Sequence, residues 1–240
     1  MNQTLGAATT YSSGFESPTF LPDGLLGMGF PQISVYGTLP VFQTMISNGV
    51  VAQGVFGFAI SSESGKSELT IGGTNTDMYQ ASTTEYVSVS LAAYWQIPFA
   101  GLSRPGLDGA SDVVVVSKTS YAQAIIDTGS TLIITSDSIA QAFYANVTGA
   151  KPSTEIGGGV WSGMSSLVVQ RGTSAHALPV PCDTIGSLAP TLTFGSRNFT
   201  VSPSTFSLGP VSDGSTDCVA GLAGGGSGLY LSPLKYTNIR

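Results

Sequence analysis

Charge is scarce in this chain. Its 240 residues hold 8 Lys+Arg, 14 Asp+Glu and a single His, so 9% are charged and the formal net charge is -6. That excludes a solvated charged repeat or an acidic disordered tail. The basic residues Lys66, Arg104, Lys118, Lys151, Arg171, Arg197, Lys235 and Arg240 stand singly and form no stripe, so nucleic acid is not an expected partner. Long apolar runs are missing too. The stretches 113–116 and 50–52 fall far short of the roughly 20 residues a spanning helix needs, so no membrane span is expected.

With one histidine, any Ser-His-Asp or Cys-His mechanism must rest on His176. It stands in the polar sequence Thr173-Ser174-Ala175-His176, with no patterned nucleophile beside it, and reads as an exposed loop residue. The two cysteines, Cys182 and Cys218, form no CxxC pair and have no histidine near them, which removes zinc and redox chemistry. No metal and no cofactor is expected. The pair is either one structural disulfide or two separate buried thiols. No apolar leader follows Met1, yet Asn2-Gln3-Thr4, Asn146-Val147-Thr148 and Asn198-Phe199-Thr200 are N-glycosylation triplets, which function only in secreted or lumenal proteins.

What the chain does have is 42% hydrophobic residues, 31 Gly and 13 Pro, a composition of short strands joined by many turns. Strand patterns run through 50–60, 67–73 and 86–102. Two helices are expected. One starts near Pro40, puts Val41, Phe42, Met45 and Ile46 on one face and stops at Gly49. The other follows the capping candidates Thr135, Ser136 and Asp137 and buries Ile139, Ala142, Phe143 and Val147. A polar seam at 73–84 reads as a connection between two lobes. The stretch 211–228 is rich in Gly, Ser and Asp, and beyond it the strand pattern dissolves into Ser232-Pro233-Leu234-Lys235-Tyr236-Thr237, an ending without the strand signal of a closed sheet.

Several glycine motifs carry no chemistry. Gly65-Lys66-Ser67 lacks the upstream glycine of a phosphate loop, and Gly24-Leu25-Leu26-Gly27-Met28-Gly29 lacks GxGxxG spacing. Gly225-Gly226-Ser227-Gly228 has Leu229 where a nucleophile elbow needs glycine. The segment Ile125-Ile126-Asp127-Thr128-Gly129-Ser130-Thr131-Leu132-Ile133 is different. It sets a carboxylate between two apolar strands, where burial costs free energy unless hydrogen bonds or a proton compensate. Thr128, Ser130 and the Gly129 amide can supply those bonds. Taken alone, Asp-Thr-Gly-Ser is equally ordinary turn chemistry.

Further blocks occur in order around it. They are Phe20-Leu21-Pro22-Asp23-Gly24-Leu25-Leu26-Gly27-Met28-Gly29-Phe30-Pro31, Pro40-Val41-Phe42-Gln43-Thr44-Met45-Ile46, Ser67-Glu68-Leu69-Thr70-Ile71-Gly72-Gly73 and Tyr94-Trp95-Gln96-Ile97. With Asp127-Thr128-Gly129-Ser130-Thr131 they make the chain resemble the pepsin-like aspartic proteases, most closely the secreted fungal ones. The resemblance implies an all-β, bilobal fold, with residues 1–84 the remainder of the amino-terminal lobe and 85–240 the carboxy-terminal lobe. It implies an aspartic endopeptidase acting on polypeptides at acid pH, a monomer when complete, placed in the secretory pathway or, alternatively, a vacuole. Asp127 would be one catalytic carboxylate. Ser130 would hydrogen-bond it, Thr128 would brace the loop, and Gly129 would contact substrate backbone. Leu25, Tyr94, Ile125 and Thr131 match cleft-lining positions, and Cys182 and Cys218 fall where the family's carboxy-terminal lobe has its disulfide. Asn2, Asn146 and Asn198 are the glycosylation candidates.

The chain also departs from the family pattern. No second Asp-Thr-Gly occurs, and the family's first catalytic loop and flap would precede Asn2. Gly228-Leu229-Tyr230-Leu231-Ser232-Pro233 lacks the hydrophobic-hydrophobic-Gly strand that closes the second loop. An incomplete fold with unpaired edges and exposed apolar surface is therefore expected, and a chain inactive by itself. The alternative reading is a non-catalytic pepsin-like module that binds peptide or protein. A third is a homodimer pairing two copies of Asp127.

Overall fold

A computed structural model describes residues 2–10, 24–61, 63, 65–130, 132–150, 176–225 and 229–231. Helix α1 spans Val41–Ser47, entered from Pro40 at φ -58° and left through Gly49 at φ +65°, a left-handed turn that favours glycine. It buries Phe42 and Thr44. Ile46, expected on the inner face, is 44% exposed. Thr44 can take the inner place because its hydroxyl donates to Pro40 O at 3.2 Å. Strands β1 (Phe56–Ala59) and β2 (Glu68–Ile71) pair antiparallel, with Phe56 opposite Ile71.

The remaining strands build two larger sheets. β3 (Leu91–Ala92), β4 (Trp95–Phe99), β7 (Ala122–Ile126), β8 (Ile133–Ile134), β12 (Ser207–Pro210), β13 (Asp217–Gly224) and β14 (Leu229–Leu231) form one, in the order β12-β13-β8-β14-β7-β4-β3. β9 (His176–Pro181) pairs with β13 beside it. β5 (Gly101–Arg104), β6 (Val113–Val116), β10 (Thr191–Phe194) and β11 (Arg197–Thr200) form the other, ordered β11-β10-β5-β6.

Three sequence expectations are corrected here. His176 opens strand β9 rather than standing in a turn. The stretch 211–228, noted in the sequence only for its Gly, Ser and Asp content, contains β13, the longest strand described, with Ala220, Leu222 and Ala223 fully buried. Its Ala and Gly residues score poorly as strand formers, but they let neighbouring layers approach both faces. The third concerns the closing strand. Leu229–Leu231 does thread between β7 and β8, parallel to Ala124–Ile126 and with Tyr230 opposite Ile134. A central strand is defined by its main-chain ladder, which three residues supply without the expected glycine.

The core lies within residues 99–222: Phe99, Leu102, Ala124, Ile133, Phe143, Val180, Leu192, Phe206 and Leu222 are among its buried members. Among the described residues of 2–84, only Phe42 and Thr44 are buried. That segment leans on β4 instead. Trp95 meets the Phe30 ring at 4.6 Å and the Phe56 ring at 5.3 Å, and its indole N–H donates to Met28 O at 2.8 Å. Leu25, Leu26, Val35 and Tyr36 of the same segment are each more than half exposed.

Helix α2 (Asp137–Tyr144) is capped by Ser136, whose hydroxyl accepts from Ile139 N at 3.4 Å. It buries Ala140, Phe143 and Tyr144, while Ala142, expected inside, is exposed. Its carboxy-terminal carbonyls are held by Arg104, which is 3% exposed. The guanidinium donates to Phe143 O at 2.5 Å, Ala145 O at 2.8 Å and Pro105 O at 2.9 Å. A buried cation is tolerable only with such saturation, and its position at a helix carboxy terminus adds a favourable dipole. The disulfide Cys182–Cys218, with Cα atoms 4.8 Å apart, ties the start of a short helix to β13.

Arg104→Met should therefore lower unfolding free energy by about 3 kcal/mol, because the buried Phe143 carbonyl and the partly buried carbonyls of Ala145 and Pro105 lose charged donors at once; urea denaturation measures it. Replacing both cysteines by alanine should cost about 4 kcal/mol for a sequence separation of 36, on the chain-entropy account. Calorimetry of reduced and oxidised protein checks this.

Candidate functional site

Strand β7 is apolar except for exposed Gln123, and Ala124 within it is fully buried. It ends at Asp127. The chain then turns through 128–132 into β8, but β7 and β8 do not pair with each other. β14 lies between them, so the intervening loop must arch over the end of a third strand. Leu132 at 4% exposure and Ile133 at 0% anchor its far side.

Hydrogen bonds fix the Asp127 carboxylate within this arch. Oδ1 accepts from Gly129 N at 2.9 Å, and Oδ2 accepts from the Ser130 hydroxyl at 2.6 Å. Ser130 N also reaches Asp127 O at 3.4 Å, closing the turn. Gly129 suits the close approach: a Cβ there would sit 3.2 Å from Oδ1, so the carboxylate would have to shift by a few tenths of an ångström. Asp127 is half-buried rather than enclosed by Ile125, Ile126, Leu132 and Ile133 as its sequence neighbours suggested. The apolar residues on the β8 side point into the core, and the carboxylate stays at the rim, where water helps to solvate it. Thr128 is exposed, and no described residue takes its hydroxyl.

The cleft candidates are distributed along the same end of the sheet. Ile125 pairs with Gln96 across β4, and continuing that register by two residues sets half-buried Tyr94 across from Asp127. Leu25 is 63% exposed, in the segment joined to this end through Met28 O and Trp95. Thr131 lies outside the described residues, as do positions 20–23 of the Phe20–Pro31 block. A recess of about 260 Å³ beside Ile126 is lined by Glu85, Val87, Ile97, Phe194 and Phe199 and does not include Asp127.

Three supports behind the arch were not read as such from sequence, where Thr135 figured only as a capping candidate. Thr135 is fully buried: its amide donates to Ala223 O at 2.8 Å and its hydroxyl to the same oxygen at 3.1 Å. Tyr144 donates its hydroxyl to Leu222 O at 2.6 Å, and burial pushes its pKa well above the ordinary tyrosine value. Both bonds end on β13, directly behind β8. Arg104 is the third, acting through α2. The signal for it was strand alternation, since Leu102 and Arg104 share the inward face of β5. Among the described residues, no cluster of His, Cys, Asp and Glu could hold a metal, and no helix is long and apolar enough to cross a membrane.

The family model described as eukaryotic aspartyl protease matches residues 1–231. An aspartic protease of Phaffia rhodozyma is 34% identical over 230 residues, covering 96% of this chain and 50% of that protein. Human cathepsin D is 29% identical over 84% of this chain and 43% of its own length. Vacuolar protease A of Neurospora crassa is 28% identical over 87% of this chain and 45% of its own length. The chain thus spans about half the length of the curated relatives it matches.

Asp127→Ala should release the Gly129 amide. Hydrogen exchange across 126–134 should speed up markedly while exchange in 99–104 stays unchanged, and stability should fall by about 1 kcal/mol. Unchanged exchange at Gly129 would show that the carboxylate does not order the loop.

Proposed function

The chain belongs to the eukaryotic aspartyl protease family, and within it we propose that Asp127 is one of the two carboxylates of an aspartic endopeptidase. The observation that carries this is the paired hold on its carboxylate, by Gly129 N–H on one oxygen and the Ser130 hydroxyl on the other. Such a carboxylate is oriented yet open to solvent on an arch fixed at both ends, the arrangement a general base needs.

In the known chemistry of aspartic proteases, two carboxylates share one proton and hold a water between them. The ionised member takes a proton from the water as its oxygen bonds to the substrate carbonyl carbon. The protonated member gives its proton to the carbonyl oxygen, forming a tetrahedral diol. Protonation of the amide nitrogen then breaks the C–N bond, leaving an acid and an amine. No metal or cofactor enters. Ser130 and Gly129 keep Asp127 aimed while its charge changes, and Thr128 braces the loop. Leu25, Tyr94, Ile125 and Thr131 match the family's cleft-lining positions, and an apolar cleft would favour hydrophobic residues beside the scissile bond of a polypeptide.

One Asp-Thr-Gly occurs in the 240 residues, so we infer that these residues alone do not turn over substrate and that the second carboxylate comes from outside them. On this reading 1–84 belongs to one lobe and 85–240 to the other, and the complete enzyme is a monomer. The disulfide favours an oxidising compartment, so the protein is assigned to the secretory pathway, with a vacuole as the alternative.

The test compares the longest natural form of the protein, its Asp127→Asn variant and residues 1–240 on a denatured protein substrate at acid pH, counting new amino termini. The natural form should cleave. Asp127→Asn should reduce kcat by roughly 10²–10⁴-fold with folding intact, and residues 1–240 should be silent. Undiminished cleavage by Asp127→Asn would remove Asp127 from the mechanism. Peptide binding without cleavage by the natural form would favour the binding-module reading.

A further inference from the structure

We propose that Asn146 and Asn198 carry N-linked oligosaccharides; the inference rests on the secretory placement above and extends it to two defined attachment atoms. Both residues head Asn-x-Thr triplets whose middle residue is not proline. What the structure adds is that each presents its amide nitrogen outward from a fixed backbone, in a way that attachment leaves undisturbed.

Asn146 follows α2 at φ +61°, the left-handed conformation that asparagine tolerates better than most residues. The turn around it is held on both sides. Ala145 O accepts from Arg104, Val147 N donates to Tyr144 O at 3.1 Å, and Val147 is 6% exposed. Asn146 and Thr148 are both exposed, and no described residue hydrogen-bonds either side chain. The anchored apolar residue between them thus leaves both members of the triplet facing solvent.

Asn198 stands on β11, the edge strand of the four-stranded sheet. Burial alternates along that strand, so Asn198 and Thr200 share its exposed face while Arg197 and Phe199 are half-buried. Asn198 Oδ1 accepts from the Thr193 hydroxyl at 2.8 Å, and no described residue takes its Nδ2. Glycosylation replaces one hydrogen of Nδ2 and leaves Oδ1 untouched, so the cross-strand bond survives it. The donor is a lipid-pyrophosphate-linked oligosaccharide. Its C1–O bond breaks, a C1–Nδ2 bond forms, and the amide proton leaves with the lipid pyrophosphate, with no change of oxidation state. A glycan at this position also covers an otherwise open sheet edge.

The secretory placement itself stands on the bond between Cys182 and Cys218, which favours an oxidising lumen such as the one where this transfer occurs. Asn2 is exposed too, but it lies in no helix or strand and is left out of the proposal.

The protein isolated from its natural source is treated with peptide N-glycosidase in heavy-oxygen water, which converts each occupied asparagine to labelled aspartate, and mapped by mass spectrometry. Label is expected at both 146 and 198. In a secreting eukaryotic host, Thr148→Ala and Thr200→Ala should each remove the mass of one glycan, and Thr200→Ser should retain it. An unlabelled Asn146 or Asn198 in the natural protein overturns the proposal for that residue. Thiol titration of the same sample separates the causes. Unlabelled asparagines with bonded cysteines defeat the glycan inference alone, and unlabelled asparagines with free thiols defeat the secretory placement as well.

Discussion

Everything at the Asp127 end of the molecule depends on one topological constraint, the insertion of β14 between β7 and β8. Strands next to each other in sequence pair most simply through a tight turn. Here a third strand occupies that place, so the connection must clear its end. Clearing it lifts Asp127 to the rim of the sheet while Leu132 and Ile133 return at once to the core. The arch has few backbone partners of its own, and the Asp127 side chain supplies them by accepting from the amide of Gly129 and the hydroxyl of Ser130. One carboxylate thereby closes the loop structurally and stands where chemistry can reach it.

An arch is only as fixed as what stands behind it. Thr135 and Tyr144 both place donors on carbonyls of β13, one from the residue after β8 and one from the last turn of α2. Arg104 then locks the end of α2 through the carbonyls of Phe143 and Ala145. Removing the Tyr144 hydroxyl or the Arg104 guanidinium would take a donor from a buried carbonyl, which costs more than the bond itself contributes, whereas Ala223 O keeps the Thr135 amide if the Thr135 hydroxyl is lost. The small side chains of β13 serve the same end, since Ala220 and Ala223 allow β9 and α2 to approach the strand closely enough for these bonds to form.

The Asp127 loop and both helices were legible because their signals are local: a hydroxyl-rich turn between apolar strands, a proline start, a serine cap. The family resemblance extended that reading to the order of blocks along the chain. What escaped was decided at a distance. β13 could not be found because Ala and Gly carry no periodic signal, their value being the space they leave for neighbours. The closing strand escaped because a missing glycine was taken as a missing strand, whereas a backbone ladder is indifferent to that residue. Ile46 and Thr44 exchanged their expected places for a related reason: a hydroxyl satisfied within its own helix can be buried as readily as an aliphatic chain.

The scarcity of charge has a consequence for work in acid. A carboxylate whose folded pKa is lowered contributes stability above its unfolded pKa, and that contribution is lost as pH falls through the folded value. Glu68 is such a group, held below the ordinary carboxylate range by hydrogen bonds from Thr70 and Asn75, but it is only half-buried, on a two-stranded sheet outside the core. The buried cation has the opposite design. Arg104 is satisfied by backbone carbonyls, which do not titrate, so lowering the pH removes nothing from it. Tyr144 and Thr135 bond to carbonyls as well and are neutral throughout the acid range. The groups that hold the arch in place from β13 and the end of α2 thus keep their protonation states as the pH falls, so this part of the loop's support does not depend on acidity.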